Sequence, residues 1–213
     1  MSKLLYIEVS PRKDRSASIE VAQSFLTEYQ NSNTDNQIET LDLWALTLPE
    51  FNGDTINAKY QVMHGEDPSP AEVAAWDVIT KFANQFKAAD HYLISTPMWN
   101  FSIPYKLKHY IDIISQPGLT WSFSPEDGYQ GLVTGKSATL ILARGGEYSS
   151  SAELSAMDFQ EPYLEMILGF IGITDVEIVL VEPTLIDVET KTKSIEAGKE
   201  QAITVAKKMK FNN

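Results

Sequence analysis

The chain has 213 residues, of which 43% are hydrophobic and 22% charged, a composition that indicates a globular protein and excludes a disordered or fibrous one. Its 17 Lys and Arg residues against 29 Asp and Glu residues give a net charge of −12, which repels nucleic-acid phosphates and anionic lipid and argues against both partners. Because cysteine is absent, disulfides, thiolate nucleophiles and cysteine-ligated metal centres are excluded.

Five short runs rich in residues that favour β-strands alternate along the chain with segments of helical periodicity. This alternation is typical of a parallel sheet whose strands are joined by crossover helices that cover both faces. The runs comprise residues 4–9, 38–43, 92–95, 138–143 and 176–181. Apolar residues recur at intervals of three and four within residues 22–29, 75–86, 107–114 and 202–209. We therefore predict an α/β fold with five strands and five helices.

Two segments, residues 44–70 and 117–136, are longer than the usual connections of a compact α/β domain. The second contains Trp121 and Phe123 in alternation, followed by the turn signal Asp127-Gly128, and this pattern predicts a small hairpin. Long loops often carry function, and surface decoration is the alternative. We expect residues 1–213 to form a single domain that includes both loops.

The loop after the first strand has the residue types of a phosphate site. Ser10, Ser16 and Ser18 flank three cations in residues 12–15, just before the first helix. Serine hydroxyls and unpaired N–H groups at a helix N-terminus bind a phosphate monoester, and the helix dipole favours the anion. The alternative is that Ser16 or Ser18 only caps the helix. Because the chain lacks both G-x-G-x-x-G in this loop and G-x-x-x-x-G-K-[ST] anywhere, the phosphate would belong to a mononucleotide-sized ligand.

Large apolar residues follow the third strand. Met98, Trp99 and Phe101 offer apolar and aromatic contact to a flat ligand, while Asn100 and backbone amides can hydrogen-bond the edge of a heterocycle. Ordinary packing is the alternative, but exposed loop tips rarely use three large apolar residues. Because ligands bind beyond the carboxyl ends of parallel strands, this loop and the phosphate loop are expected to serve one site.

The fourth strand ends in Ala143-Arg144-Gly145-Gly146. Two consecutive glycines let the backbone approach a ligand closely, although Gly-Gly is also an ordinary turn. The position after a strand end, rather than the dipeptide itself, makes this a candidate second loop of the same site.

Taken together, these residues resemble the FMN-dependent NADH:quinone oxidoreductases, also called FMN-dependent azoreductases, of the flavodoxin-like superfamily. The resemblance covers almost the whole chain and is strongest in residues 97–101, 131–136, 144–146 and 169–176. It is specific because four separate motifs occur in order at the right elements. The resemblance implies a flavodoxin-like fold, with a five-stranded parallel sheet in the order 2-1-3-4-5 and helices on both faces.

The resemblance also implies which residues bind FMN noncovalently. The phosphate would be bound by Ser10, Ser16, Ala17 and Ser18. The isoalloxazine loop would be Met98, Trp99, Asn100 and Phe101, and the second flavin loop would be Ala143, Arg144, Gly145 and Gly146. This chain has Trp99 where the family often has Tyr, which keeps a stacking surface. It has Ala143 where the family often has Ser, which removes one side-chain hydrogen bond.

The implied reaction is the transfer of two electrons from NADH or NADPH to quinones, and the reductive cleavage of azo compounds to aromatic amines, by a ping-pong mechanism. FMN would carry the chemistry, so no catalytic side chain is named. Such enzymes are typically homodimers with a flavin pocket at each subunit interface. Phe123, Tyr148 and Phe170 are therefore candidates for the substrate pocket, and simple core packing is the alternative for Phe170.

Two other functions stay open at this point: a flavodoxin-type electron carrier and a flavin-free binding module on the same fold. The long loops exceed what a carrier needs, and the strand ends that a phosphoacceptor module would fill with acidic residues hold Ser10-Pro11 and Pro97-Met98. No pair of the three histidines has metal-ligand spacing, so no metal site is predicted. The chain lacks the pattern of a signal peptide or a membrane helix, and we expect a cytoplasmic protein.

Overall fold

The computed structural model describes residues 2–67 and 69–209. The strands in this part of the chain are β1 (Lys3–Glu8), β2 (Gln37–Asp42), β3 (His91–Pro97), β4 (Trp121–Ser124), β5 (Gly128–Gly131), β6 (Ser137–Ala143) and β7 (Asp175–Val181). Five of them form one sheet in the order β2-β1-β3-β6-β7, and every neighbouring pair is parallel. This is the predicted order 2-1-3-4-5, since β4 and β5 form the separate antiparallel hairpin that the sequence predicts.

The helices of the described residues are α1 (Ala17–Ser32), α2 (Gly53–His64), α3 (Pro70–Lys87), α4 (Tyr105–Ile114), α5 (Ala152–Ser155), α6 (Glu161–Ile171) and α7 (Val188–Lys208). The prediction of five helices is therefore wrong, because it treated residues 44–70 as a loop and missed α2 and the single-turn α5. The periodicity of α2 is weak, since Thr55 and Ala58 are its buried residues among those whose side chains are described. No helix within residues 2–67 and 69–209 is both long and apolar enough to cross a membrane.

Alternation along the central strands builds one core on each face of the sheet. In β1, Leu5 and Ile7 belong to the core that includes buried residues of α3, α4 and α6, whereas Leu4 and Tyr6 belong to the core that includes residues of α1 and α7. A strand buried on both faces reads as a continuous apolar run, which is why these strands were predictable. The two helical layers leave the carboxyl edge of the sheet to the loops.

His91 opens β3 and is buried at the opposite edge of the sheet from these loops. Its Nδ1 lies 2.7 Å from Ser137 Oγ and its Nε2 lies 3.1 Å from Thr139 Oγ1, both on the neighbouring β6. Burial lowers the pKa of His91 from 6.5 to about 3, so the folded protein holds it neutral at physiological pH. We therefore assign His91 a structural role.

This depressed pKa predicts an acid sensitivity. Because unfolded His91 takes up a proton below its ordinary pKa of 6.5 and folded His91 does so only near 3, the free energy of unfolding falls as the pH drops below 6.5. The loss is at most about 1.4 kcal/mol per pH unit. Urea titrations of the wild type and a His91→Asn variant should show this slope between about pH 6.5 and 5 only in the wild type. His64→Asn, at the exposed end of α2, is the control, and an equal slope in both histidine variants would contradict the assignment.

Candidate functional site

The three predicted loops are neighbours at the carboxyl edge of the sheet. Val9 N–H donates to Ser95 O over 3.1 Å, which joins the end of β1 to β3. Met98 N–H donates to Ala143 O over 2.8 Å, which joins the loop after β3 to the end of β6. The expectation that these loops meet is confirmed, and it follows from the parallel strand order.

The phosphate loop leads into α1 through buried serines. Ser16 is the N-cap residue of α1, yet its side chain makes no capping hydrogen bond; its Oγ lies 3.1 Å from Ser18 Oγ. Ser10 Oγ accepts a hydrogen bond of 3.3 Å from Arg12 N–H. Within the described chain, the first N–H groups of α1, those of Ala17 and Ser18, find no protein acceptor. The capping alternative is therefore wrong for Ser16, and the helix N-terminus keeps the donors that a phosphate monoester needs.

Lys13 does not act as a free cation for this loop. Its ammonium lies 2.6 Å from Glu8 Oε1 and 2.6 Å from Asp42 Oδ2. Burial by itself lowers the pKa of Lys13, but the hydrogen bonds to Asp42 and Glu8 outweigh it and raise the pKa. The backbone of Lys13 has a φ of 47°, a left-handed conformation that non-glycine residues seldom adopt. Of the three cations in the loop, Arg12 and Arg15 are exposed, and Lys13 serves to join the loop to the ends of β1 and β2.

The loop after β3 is a tight turn with unusual backbone geometry. Trp99 N–H donates to Ser102 O over 2.8 Å, and Ser102 N–H donates to Trp99 O over 3.0 Å. Between them, Asn100 and Phe101 both have positive φ angles, 48° and 69°. Such turns usually contain glycine, and a bulky residue in this region is strained by about 1 kcal/mol or more. Elsewhere, strain of this kind is concentrated at binding and catalytic sites.

The aromatic side chains of this loop point to two environments. The Trp99 ring lies 5.9 Å from the Trp44 ring and 6.4 Å from the Tyr105 ring, measured between centroids. Phe101 is 42% exposed and meets the Tyr148 ring edge-on at 6.3 Å. A cleft of about 600 Å³ opens beside the turn and runs from Trp99 to residues of α4 and α6. The loop therefore presents aromatic surface next to open space, as a flat ligand requires.

The second predicted loop combines a buried residue with two small ones. Arg144 is 2% exposed, and its guanidinium lies 2.7 Å from both Asp158 and Glu161. A Cβ on Gly145 would lie 2.6 Å from Leu185 Cδ1, so this position favours glycine unless Leu185 moves. Neither Gly145 nor Gly146 donates its N–H to a protein acceptor within the described residues. This loop thus offers two unpaired backbone donors, while contact between residues 143–146 and a cofactor stays a prediction.

The hairpin β4–β5 packs its aromatic side chains on α6. Phe170 is half-buried, with its ring 5.5 Å from Trp121 and 5.7 Å from Tyr129. Phe123 is 59% exposed and lies 4.9 Å from Tyr129, its partner across the hairpin. Partial burial fits both a pocket residue and a residue at the core margin, so the pocket roles of Phe123, Tyr148 and Phe170 stay predictions.

Two residues near the predicted site were missed by reasoning from the sequence. Tyr129, 64% exposed, completes the aromatic hairpin, and its place opposite Phe123 could have been found by pairing the hairpin around Asp127-Gly128. Leu185, 77% exposed, covers Gly145 from the segment after β7. The sequence carried no signal for Leu185, because its contact depends on how a distant loop returns to the edge.

The residues present fit a phosphorylated, flat heterocyclic ligand. One loop offers buried hydroxyls and helix N-terminal N–H groups, and two neighbouring loops offer unpaired N–H groups beside aromatic surface. These groups bind and orient a ligand; they are donors and apolar contacts rather than nucleophiles.

Comparison with known proteins gives consistent results. The family described as having a flavodoxin-like fold matches residues 2–205. An FMN-dependent NADH:quinone oxidoreductase from Desulfotalea psychrophila is 54% identical over 209 residues, which cover 98% of each chain. The crystal structure of an azoreductase from Bacillus anthracis str. Sterne is similar with a TM-score of 0.90 and 32% identity, covering 98% of this chain and 100% of that one. An FMN-dependent NADH-azoreductase from Bacillus anthracis str. Ames Ancestor, in complex with FMN, matches with a TM-score of 0.89 and 27% identity over 98% and 99% of the chains.

Proposed function

This chain belongs to the FMN-dependent NADH:quinone oxidoreductases of the flavodoxin-like family, and we propose how its residues serve that activity. It is an FMN-dependent oxidoreductase that takes two electrons from NADH and reduces quinones, and it cleaves azo compounds reductively to aromatic amines. We also propose that residues 1–213 act as one flavin-binding domain in the cytoplasm.

The uncapped N-terminus of α1 carries the assignment of the FMN site. Ser16 and Ser18 are buried there beside unpaired N–H groups, and Ser10 is buried at the start of the same loop, so that a phosphate monoester can satisfy these donors together. If the Ser16 side chain capped the helix, it would occupy one of these N–H groups, but it makes no capping hydrogen bond. We therefore propose that Ser10 and residues 16–18 bind the FMN phosphate.

The other two loops are proposed to hold the isoalloxazine ring. Residues 98–101 supply aromatic surface and the unpaired N–H of Asn100, and residues 143–146 supply those of Gly145 and Gly146. When bound, FMN would supply the two-electron redox chemistry between the nicotinamide and the acceptor, while these loops would hold its ring. Fixed backbone donors on the polar edge of the ring stabilise negative charge there without reorganisation.

The two substrates are proposed to use one pocket in turn. The sequence contains no second nucleotide-binding fingerprint, and the open space is lined by Trp99 and Asn100 of the loop after β3, one of the two loops assigned to the ring. Donor and acceptor would then exclude one another, which is the condition for a ping-pong mechanism. NADPH as an alternative donor uses the same space.

The test is the visible spectrum of the purified protein reconstituted with FMN. We expect flavin absorbance to persist through gel filtration, to bleach on anaerobic addition of NADH, and to return with benzoquinone. Initial-rate plots at several fixed quinone concentrations should be parallel. Loss of the flavin on the column contradicts the FMN site, bleaching only by dithionite favours an electron carrier, and intersecting plots contradict the shared pocket.

We further propose a homodimer with a pocket at each subunit interface. Phe123 and Tyr129 are largely exposed beside Phe170, and an aromatic surface of this kind is typical of interfaces. If Phe170 lines the pocket, Phe170→Ala should raise the KM for quinone more than the Kd for FMN. Light scattering should give a dimer mass. An active FMN-bound monomer would contradict this arrangement, and a KM unchanged in the variant would make Phe170 a core residue.

A further inference from the structure

We infer that Arg144 is a positioning residue that holds the two flavin loops in register from within the protein, without touching the flavin through its side chain. This inference rests on the proposed function for the identity of the two loops. Its structural basis is a chain of ion pairs and hydrogen bonds that passes from one loop to the other through Arg144.

Arg144 has a fully engaged guanidinium in the interior. Its Nη2 lies 2.7 Å from Asp158 Oδ2 and 2.7 Å from Glu161 Oε2, and its Nη1 lies 3.4 Å from Glu182 Oε2. Its Nε donates to Gln160 Oε1 over 3.2 Å. At 2% exposure, these partners account for all three nitrogens of the side chain. The arginine is therefore committed to protein groups.

The segment that binds Arg144 also holds the loop after β3. Phe159 N–H donates to Phe101 O over 2.8 Å, and Ser102 Oγ donates to Phe159 O over 3.3 Å. Phe159 lies between the Arg144 partners Asp158 and Gln160 in the chain. Because the positive φ angles of Asn100 and Phe101 persist only where the surroundings enforce them, this backbone contact helps hold the turn.

Glu182 extends the same network to the chain that follows Gly145 and Gly146. Its carboxylate accepts hydrogen bonds of 3.1 Å from both Tyr148 N–H and Ser149 N–H, and it pairs with Arg144. Thr184 donates its N–H and its hydroxyl to Arg144 O over 3.0 Å and 2.8 Å. The backbone on both sides of Gly145 and Gly146 is thus tied to the segment that directly follows β7.

A buried cation surrounded by carboxylates usually adds little to the free energy of unfolding. Apolar residues of similar volume often replace such clusters without loss of stability, but removing one partner leaves uncompensated buried charge. Arg144 is outnumbered by the three carboxylates of Asp158, Glu161 and Glu182. The cluster instead fixes the relative orientation of several chain segments, because the donors of the planar guanidinium point in defined directions.

The test compares Arg144→Met with Lys136→Met, since these residues flank the two ends of the same strand, β6. Lys136 is also a partly buried cation, and its ammonium donates to Lys87 O and Ala89 O at the far edge of the sheet. We expect Arg144→Met to lower kcat on the order of 100-fold through misplacement of the bound ring, and Lys136→Met to leave kcat and the FMN Kd unchanged. Arg144→Lys should restore part of kcat, because it returns the charge but not the planar fork.

Hydrogen exchange in the apoprotein provides a readout that needs no flavin. The amide of Phe159 should exchange faster in Arg144→Met than in the wild type, and at the wild-type rate in Lys136→Met. If Arg144→Met fails to fold, Glu161→Gln is used instead, because Glu161 is partly exposed and the amide preserves its shape. A wild type that binds no FMN contradicts the proposed function. The exchange rate of Phe159 then still tests whether Arg144 holds the two loops together. Unchanged exchange at Phe159, or unchanged kcat in a flavin-loaded variant, overturns the inference.

Discussion

A Ser16→Asp variant should bind FMN at least about 100-fold more weakly than the wild type, a loss of roughly 2.7 kcal/mol. Ser16 is 5% exposed at the N-terminus of α1, where we place the phosphate. A carboxylate there brings a second negative charge against the anion in a site that water screens poorly. Adding Ser18→Asp should weaken binding further. Titration of the apoprotein with FMN, followed by flavin fluorescence, measures the Kd.

The same substitution has a different effect on the fold, which separates binding from stability. Asp is a favoured N-cap residue, and its charge complements the helix dipole, so the apoprotein should not lose stability. Gln30→Glu adds one charge near the other end of α1 and should leave the FMN Kd unchanged. If Ser16→Asp binds FMN with the wild-type Kd, the phosphate must bind at another part of the carboxyl edge.

Gly131→Ala should lower the free energy of unfolding by about 3 kcal/mol, near the upper end of the usual cost of overpacking. A Cβ at this position would lie 2.3 Å from Gly172 N and 2.5 Å from both Gly172 Cα and Ile171 C. These are backbone atoms at the end of α6, so no side-chain rotation relieves the clash. Next to the contact, Val133 N–H donates to Ile171 O over 2.8 Å, which ties the hairpin to the helix.

Urea unfolding of Gly131→Ala and Gly53→Ala measures this effect with a matched control. A Cβ on Gly53 meets nothing within 4 Å, and this residue begins α2, so alanine there should stabilise the protein by less than about 1 kcal/mol. Because Gly131 sets the distance between the hairpin and Phe170, the KM for quinone should also change in Gly131→Ala. Equal free energies of unfolding for the two variants would contradict this prediction, because they would show that α6 shifts away from the added Cβ at little cost.

Local patterning determined the layout of the sheet. Each central strand is buried on both faces, so its apolar run is visible without knowledge of its neighbours, and all five runs are strands. The positions of the candidate loops follow from the same runs, because ligand-binding loops of a parallel sheet follow strand ends. The family resemblance supplied the strand order, and the order in the structure agrees with it.

Contacts between segments distant in the chain were decided only by the tertiary structure. Lys13 reads as a phosphate-binding cation in the sequence, but it pairs with Asp42, 29 positions away and brought beside it by the pairing of β1 with β2. Arg144 lies in a candidate ligand loop, and the structure adds that its guanidinium pairs with Glu161 on α6 and with Glu182 in the segment after β7. Charge and residue type show what a side chain can bind. Which partner it finds depends on how segments distant in the chain pack together, and no local pattern contains that information. For this physical reason the sequence predicted the edge of the sheet where the site lies, but not the contacts that hold the site together.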